Sequence, residues 1–319
     1  MESYSAISRY PAPYGVKLKA ALAERHGMSP AEVLVGNGST QLIYLLCTAL
    51  RPRKALVVAP AFSEYANALA LAGASVREFC LTADDGFQFS PEKFMAAWEK
   101  DCDIVFLATP NSVTGRLAPK PALQKIAHAA LARKSLMVVD EAFIDFVESE
   151  SIKTMARQNP NLIVLRSLTK YYGLPGLRLG YLLGEARRIA QLAAYQEPWS
   201  VNAPALNAAQ ACIADRGFAT KTIRWLVKER AFLSKQLTGL GGFHPVQSEA
   251  NFLLVEIENN GGRDASQLRS FLLSKKILIR ACDSFAGLGS KYFRIAVRQR
   301  RDNRRLIAAL REWRAPPSG

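Results

Sequence analysis

Cysteine and histidine are scarce in this chain. Five cysteines (Cys47, Cys80, Cys102, Cys212 and Cys282) are scattered over 319 residues without a C-x-x-C pair, and only three histidines occur, His26, His128 and His244. That number and spacing exclude a disulfide framework and a structural zinc site. No apolar run reaches the roughly 18 residues of a membrane-spanning helix, and the start MESYSAISRYP lacks a basic-then-apolar signal. The expectation is a cytoplasmic protein with no membrane partner. Acidic residues are also in deficit, 27 Asp and Glu against 42 Lys and Arg, for a formal net charge of +15. Such a balance attracts anions, phosphorylated metabolites among them. RNA-binding motifs and clustered exposed aromatics are missing, so nucleic acid is not expected as a partner. The arginine-rich tail RIAVRQRRDNRRLIAALREWR reads instead as a solvated helix face backed by a Leu/Ile/Ala/Trp stripe.

What is present is a globular composition, 49% hydrophobic and 22% charged. Four short apolar runs, KALVVAP (54–60), CDIVFLATP (102–110), SLMVVDEAF (135–143) and NLIVLRSLTK (161–170), read as strands buried on both faces. Residues 63–73, 91–100 and 119–133 between them read as helices, with Ser90 as an N-cap and Pro91 at the first helical position. This alternation predicts an α/β fold with a mostly parallel central sheet sandwiched by helices. The texture changes near residue 220. A long helix through TKTIRWLVKERAFLSKQLTGL is followed by SEANFLLVEI, a helix near 264–275, KILIRAC, YFRIAVR and a terminal helix. The expected division is an N-terminal segment (1–30) packing near the small domain, a large domain (31–219) and a smaller α+β domain (220–319).

Polar groups recur just beyond these strands: Asn111 after IVFLATP, Asp140 at the end of LMVV, and Lys170 after LIVLRSLT. In parallel α/β sheets, ligands bind outside the carboxyl ends of the strands. An amine at the end of a buried strand can be held neutral and attack a carbonyl to form a Schiff base. A nearby carboxylate can keep a pyridine nitrogen protonated, and an arginine such as Arg178 can grip a phosphate with two hydrogen bonds. Aldehyde, ring nitrogen and phosphate are the three handles of pyridoxal 5′-phosphate. The stretch VGNGSTQLIYLLCTAL adds a glycine turn, two hydroxyls and a helix start, which together can cradle a phosphate. Taken singly, each group has an ordinary reading. Asp140 could cap a helix, Arg178 could be a surface arginine, Phe62 a core aromatic and Tyr10 a packing aromatic. Arg294 and Arg298 could form a solvated strand edge, and many glycine turns begin helices that bind nothing.

The motifs GNGST, PAFSEY, TPNSVTG, VVDEAFIDF and SLTKYYGLPGLRLGY occur in that order. The chain thereby resembles the fold-type I pyridoxal-phosphate enzymes, with an aspartate-aminotransferase-like fold, in the branch of histidinol-phosphate aminotransferase and threonine-phosphate decarboxylase. The resemblance covers nearly the whole chain. It implies that Lys170 carries the covalent link to the cofactor and moves the proton at Cα, and that Asp140 pairs with the pyridine nitrogen. It further implies that Asn111 bonds the ring 3′-oxygen, that Phe62 stacks on the ring, and that Gly38, Ser39, Thr40, Ser167, Thr169 and Arg178 hold the phosphate. Tyr10 would reach the cofactor phosphate of a partner subunit, implying a homodimer, and Arg294, with Arg298 close behind, would bind the substrate carboxylate.

Two departures stand out. Phe143 occupies the place where the aminotransferases usually carry a tyrosine, and TPNSVTG has Ser112 and Val113 in place of a second asparagine and a proline. Phe143, with EPWSVNA and KILIRAC, is more similar to the decarboxylase branch. That implies conversion of L-threonine O-3-phosphate, a small phosphorylated amino acid, to (R)-1-amino-2-propanol O-2-phosphate and carbon dioxide. Amino transfer of the histidinol-phosphate type is the alternative. A basic binding protein that kept only the fold is a third reading, against which the intact Lys170 and Asp140 argue.

Overall fold

The four apolar runs form the centre of a seven-stranded sheet. The structure is a computed structural model that describes residues 7–258 and 263–314. The expected N-terminal segment before residue 7, and the parts of the expected small domain at 259–262 and 315–319, lie outside the described residues. The strands are β1 (Val33–Gly36), β2 (Lys54–Ala59), β3 (Ser75–Cys80), β4 (Ile104–Ala108), β5 (Leu136–Asp140), β6 (Leu162–Ser167) and β7 (Gly180–Leu183). Their order is β1-β7-β6-β5-β4-β2-β3. From β6 through β5, β4 and β2 to β3 neighbours are parallel; β7 runs antiparallel to both β1 and β6.

Alternation explains why the central strands read as unbroken apolar runs. Ile104 and Phe106 of β4 enter one core cluster while Val105 and Leu107 enter another on the opposite face. The same split separates Val138 from Met137 and Val139 on β5, and Ile163 and Leu165 from Leu162 and Val164 on β6. One face is covered by α1 (Val16–His26), α4 (Pro91–Ala97), α5 (Lys120–Arg133) and α8 (Ala203–Ala214). The other is covered by α2 (Gly38–Leu50), α3 (Ser63–Leu71) and α7 (Ala186–Ala193). The expected cap is present, with Ser90 Oγ accepting a hydrogen bond from the Lys93 amide at 3.2 Å ahead of Pro91. Strands β1, β3 and β7, which the sequence reading did not identify, lie at or near the sheet edge. No residue of β3 is fully buried, and Arg77 and Glu78 at its centre are both exposed, so no apolar run marks it.

Beyond the long helix α9 (Arg216–Leu240), a four-stranded antiparallel sheet has the order β10-β11-β9-β8, from β8 (Phe243–Pro245), β9 (Phe252–Ile257), β10 (Arg280–Ala281) and β11 (Tyr292–Ala296). With α10 (Ala265–Ser274) and α11 (Arg300–Arg314) it encloses a core of Leu233, Leu237, Val255, Leu268, Phe293 and Leu310. Phe143, Phe146 and Tyr171, from the segments that follow β5 and β6 of the larger sheet, join this same cluster. The two sheets therefore share apolar packing beside the carboxyl ends of β5 and β6.

A charge cluster ties those two strand ends together. Arg166 on β6 has no solvent exposure, and its Nε lies 2.9 Å from Glu141 Oε2, directly after β5. Its two terminal nitrogens donate to Glu148 at 2.8 and 3.0 Å, and Nη2 also donates to Ser151 Oγ at 3.1 Å. Asp145 stands 3.6 Å from the same guanidinium. Burial alone would raise Glu148, but Arg166 and then Lys153 bring it down to about 2. Replacing Arg166 with Met keeps the bulk and strands buried carboxylates without their cation. We expect R166M to lose about 3–5 kcal/mol of stability at neutral pH in urea unfolding. The stranded carboxyls take folded-state pKa values above their unfolded ones, so the deficit shrinks as pH falls through that raised range. A deficit independent of pH would contradict this account.

Candidate active site

Lys170 lies in α6 (Leu168–Tyr171), one turn that begins directly after β6 ends at Ser167. Its side chain lines a cleft of about 750 Å³ together with Asp140 from the end of β5 and Arg178. Burial first, then the charges of Arg294 and Arg178, hold the Lys170 ammonium below its ordinary value, against the opposing pull of Asp140. The Lys170 Nζ stands 5.8 Å from the centre of the Phe143 ring. Asp140 is buried, with Oδ1 accepting from the Ala142 amide at 2.9 Å and Oδ2 from the Tyr65 hydroxyl at 2.5 Å. Burial pushes its carboxyl up, while Tyr65, Ala142 and Lys170 pull it back.

Anion-binding groups gather at one end of the cleft. Ser39 and Thr40 open helix α2, where unpaired amides and the helix dipole favour negative charge. Ser167 and Thr169 line the same wall, their hydroxyls 2.7 Å apart. Two glycines make this convergence possible. Gly38 has φ +79°, and a Cβ there would meet Arg178 Nη2 at 2.6 Å. A Cβ on Gly180 would lie 2.4 Å from the Ser39 amide nitrogen, so bare backbone on β7 lets the start of α2 sit against the sheet. Arg178 itself has φ +56° after a tight turn at Pro175–Leu177.

Opposite the amine, Arg280 on β10 and Arg294 on β11 are direct cross-strand partners, and both line the cleft. Arg294 donates from Nη1 to the backbone carbonyl of Ser112 at 2.5 Å and sits over the Phe252 ring at 4.9 Å. Phe62, at the N-cap of α3, forms part of the wall.

The structure thus gathers Lys170, Asp140, Arg178, Phe62, Ser39, Thr40, Ser167, Thr169 and Arg294 around one cleft, with Gly38 behind Arg178. Two residues expected in this cleft, Asn111 and Arg298, are not brought there, and Tyr10, expected at a partner subunit's site, lies apart from it. Asn111 is buried, but its amide donates to the Pro60 carbonyl at 2.9 Å and its oxygen accepts from the Val113 and Thr114 amides, both at 2.9 Å. It shapes the loop, and the residue beside it that lines the cleft is Ser112. Arg298 lies beyond the end of β11 at Ala296, so strand alternation no longer carries it to the side of Arg294. It is exposed and pairs with Asp302 at 2.8 Å. Tyr10 is 86% exposed and tilts against Trp199, with ring centres 5.3 Å apart, on a different surface.

Sequence reading passed over Tyr65, Ser112 and Arg280. PAFSEY and KILIRAC contain the first and third, but only tertiary register shows that Arg280 faces the cleft and that Tyr65 stands behind it on Asp140. The donor set fits pyridoxal phosphate on its own chemistry: cationic and N–H donors at one end, an aromatic wall, a buried carboxylate and an amine. A Cβ at Gly38 would meet Arg178 Nη2 at 2.6 Å, so the bare backbone there leaves the guanidinium its place at the anion-binding end of the cleft.

Comparison with known proteins agrees. The family model for aminotransferase class I and II matches residues 2–310. Threonine-phosphate decarboxylase of Salmonella typhimurium is 39% identical over 313 residues, 98% of this chain and 85% of that protein. Histidinol-phosphate aminotransferase of Nitratidesulfovibrio vulgaris is 34% identical over 310 residues, 95% of this chain and 80% of that protein. Among solved structures, the histidinol-phosphate aminotransferase from Clostridium acetobutylicum superposes with a TM-score of 0.90 at 27% identity, covering 98% of this chain and 92% of that one. With the match running almost end to end and the amine, carboxylate and anion cradle around one cleft, this chain belongs to the pyridoxal-phosphate-dependent class I and II aminotransferase family.

Proposed function

We infer that this enzyme decarboxylates L-threonine O-3-phosphate to (R)-1-amino-2-propanol O-2-phosphate. The observation that carries this reading is the pairing of Arg280 and Arg294 on adjacent strands, facing the cleft that holds Lys170. Together with Arg178 they supply three guanidiniums, one for the cofactor phosphate and two for a substrate with an anionic group at each end. Phosphothreonine has a carboxylate and a phosphate so disposed. The 39% identity to a threonine-phosphate decarboxylase supports the same choice. Amino transfer is the second reading, favoured by the similarity to histidinol-phosphate aminotransferases.

When bound, the cofactor supplies an electron sink for the bond broken at Cα. Arg178, Ser39, Thr40, Ser167 and Thr169 would bind its phosphate, with Gly38 leaving room for the arginine. Asp140 would hold a proton on the pyridine nitrogen, and Phe62 would cover the ring. The Asn111 side chain is engaged by the Pro60 carbonyl and the Val113 and Thr114 amides, and Phe143 would offer the ring 3′-oxygen no hydroxyl. Lys170 Nζ, held below its ordinary pKa by burial and Arg294, is able to hold and return a proton at the substrate Cα. Arg294 orients the carboxylate and Arg280 the substrate phosphate, which sets the bond to be broken against the ring.

The large unit at 31–219 and the small unit at 220–319 each contribute one wall of this site. Tyr10 and Trp199, exposed and in contact with each other, suit burial against a second copy, which supports a homodimer.

Purified enzyme mixed with phosphothreonine should release carbon dioxide without any keto acid. Conversion that depends on 2-oxoglutarate and yields no carbon dioxide would establish amino transfer instead. R280A should raise KM for phosphothreonine by about 10- to 100-fold, the weight of a charge-assisted hydrogen bond, as measured in steady-state assays. R294A removes a charge that depresses the Lys170 pKa. The pH midpoint for covalent loading of pyridoxal phosphate, followed by absorbance, should therefore rise.

A further inference from the structure

The site described above uses Asp140 without explaining how a fully buried carboxylate stays charged. Its strand neighbours, Ala108 on β4 and Leu165 on β6, are apolar. The groups that face it are the Ala142 amide, Lys170 from α6 and the hydroxyl of Tyr65 from α3. The adjoining Glu141 turns away to Arg166. Tyr65 is thus the one side chain among the described residues that hydrogen-bonds Asp140.

Tyr65 is itself 1% exposed and fixed on three sides. Its ring stacks on Phe106 with centres 5.0 Å apart and planes 18° from parallel. Its edge meets Phe62 at 5.9 Å and 88°, and its amide donates to the Phe62 carbonyl at 3.2 Å. Burial, then the charge of Asp140, pushes the phenol well above its ordinary pKa, so it remains a donor. One rigid ring therefore touches both the carboxylate that meets the pyridine nitrogen and the aromatic that covers the ring.

We propose that Tyr65 is a positioning residue for the cofactor ring: its hydroxyl keeps Asp140 ionised and aimed at the pyridine nitrogen while its ring edge sets the angle of Phe62. The proposal rests on the reading of Asp140 given above. A carboxylate that loses this donor keeps only one amide, and a buried carboxylate with fewer donors takes its proton at higher pH.

Y65F deletes the hydroxyl and preserves the stack on Phe106 and the edge contact with Phe62. The test is equilibrium dialysis of protein loaded with pyridoxamine 5′-phosphate, which presents the same ring nitrogen but cannot link to Lys170. It is run across the acidic to neutral range for wild type, Y65F, D140N and the double variant, with thermal unfolding as a check on folding. Y65F should weaken retention roughly ten-fold or more at neutral pH. Its affinity should also begin to fall at higher pH than that of wild type, because Asp140 protonates earlier. In the D140N background the same change should add little. An unchanged affinity and pH profile in Y65F, or an equal loss with and without Asp140, would refute the proposal. If D140N alone retains the ligand as wild type does, the reading of Asp140 fails first, and the proposal with it.

Discussion

The guanidinium of Arg166 lies out of contact with solvent among Glu141, Asp145 and Glu148, and the geometry of the site follows from that burial. Glu141 follows Asp140 directly, and Arg166 precedes Ser167 directly. The cluster therefore fastens the ends of β5 and β6 at the residues adjoining those that enter the cleft. Charges removed from water in this way contribute little net stability, and apolar replacements commonly do as well. What they contribute here is registry. The carboxylate after one strand and the amine after its neighbour are set at a fixed offset.

A second constraint is steric. The anion cradle needs the start of α2 to touch β7 and the Arg178 side chain to cross α2 at its first residue, and both approaches run through glycines. Any side chain at Gly180 would strike the Ser39 amide or the Arg166 carbonyl, so the groups that attract a phosphate are held in place by missing atoms as much as by bonds. Charge and shape act on different walls of the same cleft, and neither alone would bring Lys170 and Arg178 to one ligand.

The central strands were legible in the sequence because each is buried on both faces, which writes an unbroken apolar run into residues 104–108, 136–139 and 162–165. The edge strand β3 and the two-residue β10 carry no such run, and β10 bears Arg280. Asp140 and Lys170 could be picked out because strand ends define one edge of a parallel sheet. Side-chain direction within a loop has no comparable rule. Asn111 and Ser112 are adjacent, yet the turn spends the Asn111 side chain on backbone hydrogen bonds and leaves Ser112 lining the cleft. Arg298 follows Arg294 by four residues, a spacing that keeps both on one face only while the strand continues, and β11 stops at Ala296. Tyr65 escaped notice because its partner is 75 residues away along the chain.

Arg294 is already anchored before any substrate arrives, with its fork on the Ser112 carbonyl and its plane over Phe252. A long arginine side chain that had to be immobilised on binding would sacrifice rotational freedom at that moment. The Arg294 guanidinium has surrendered that freedom during folding, so an anion binding there would have only to trade one oxygen for another. The loop holding Ser112 thus keeps one arm of the guanidinium oriented and in waiting.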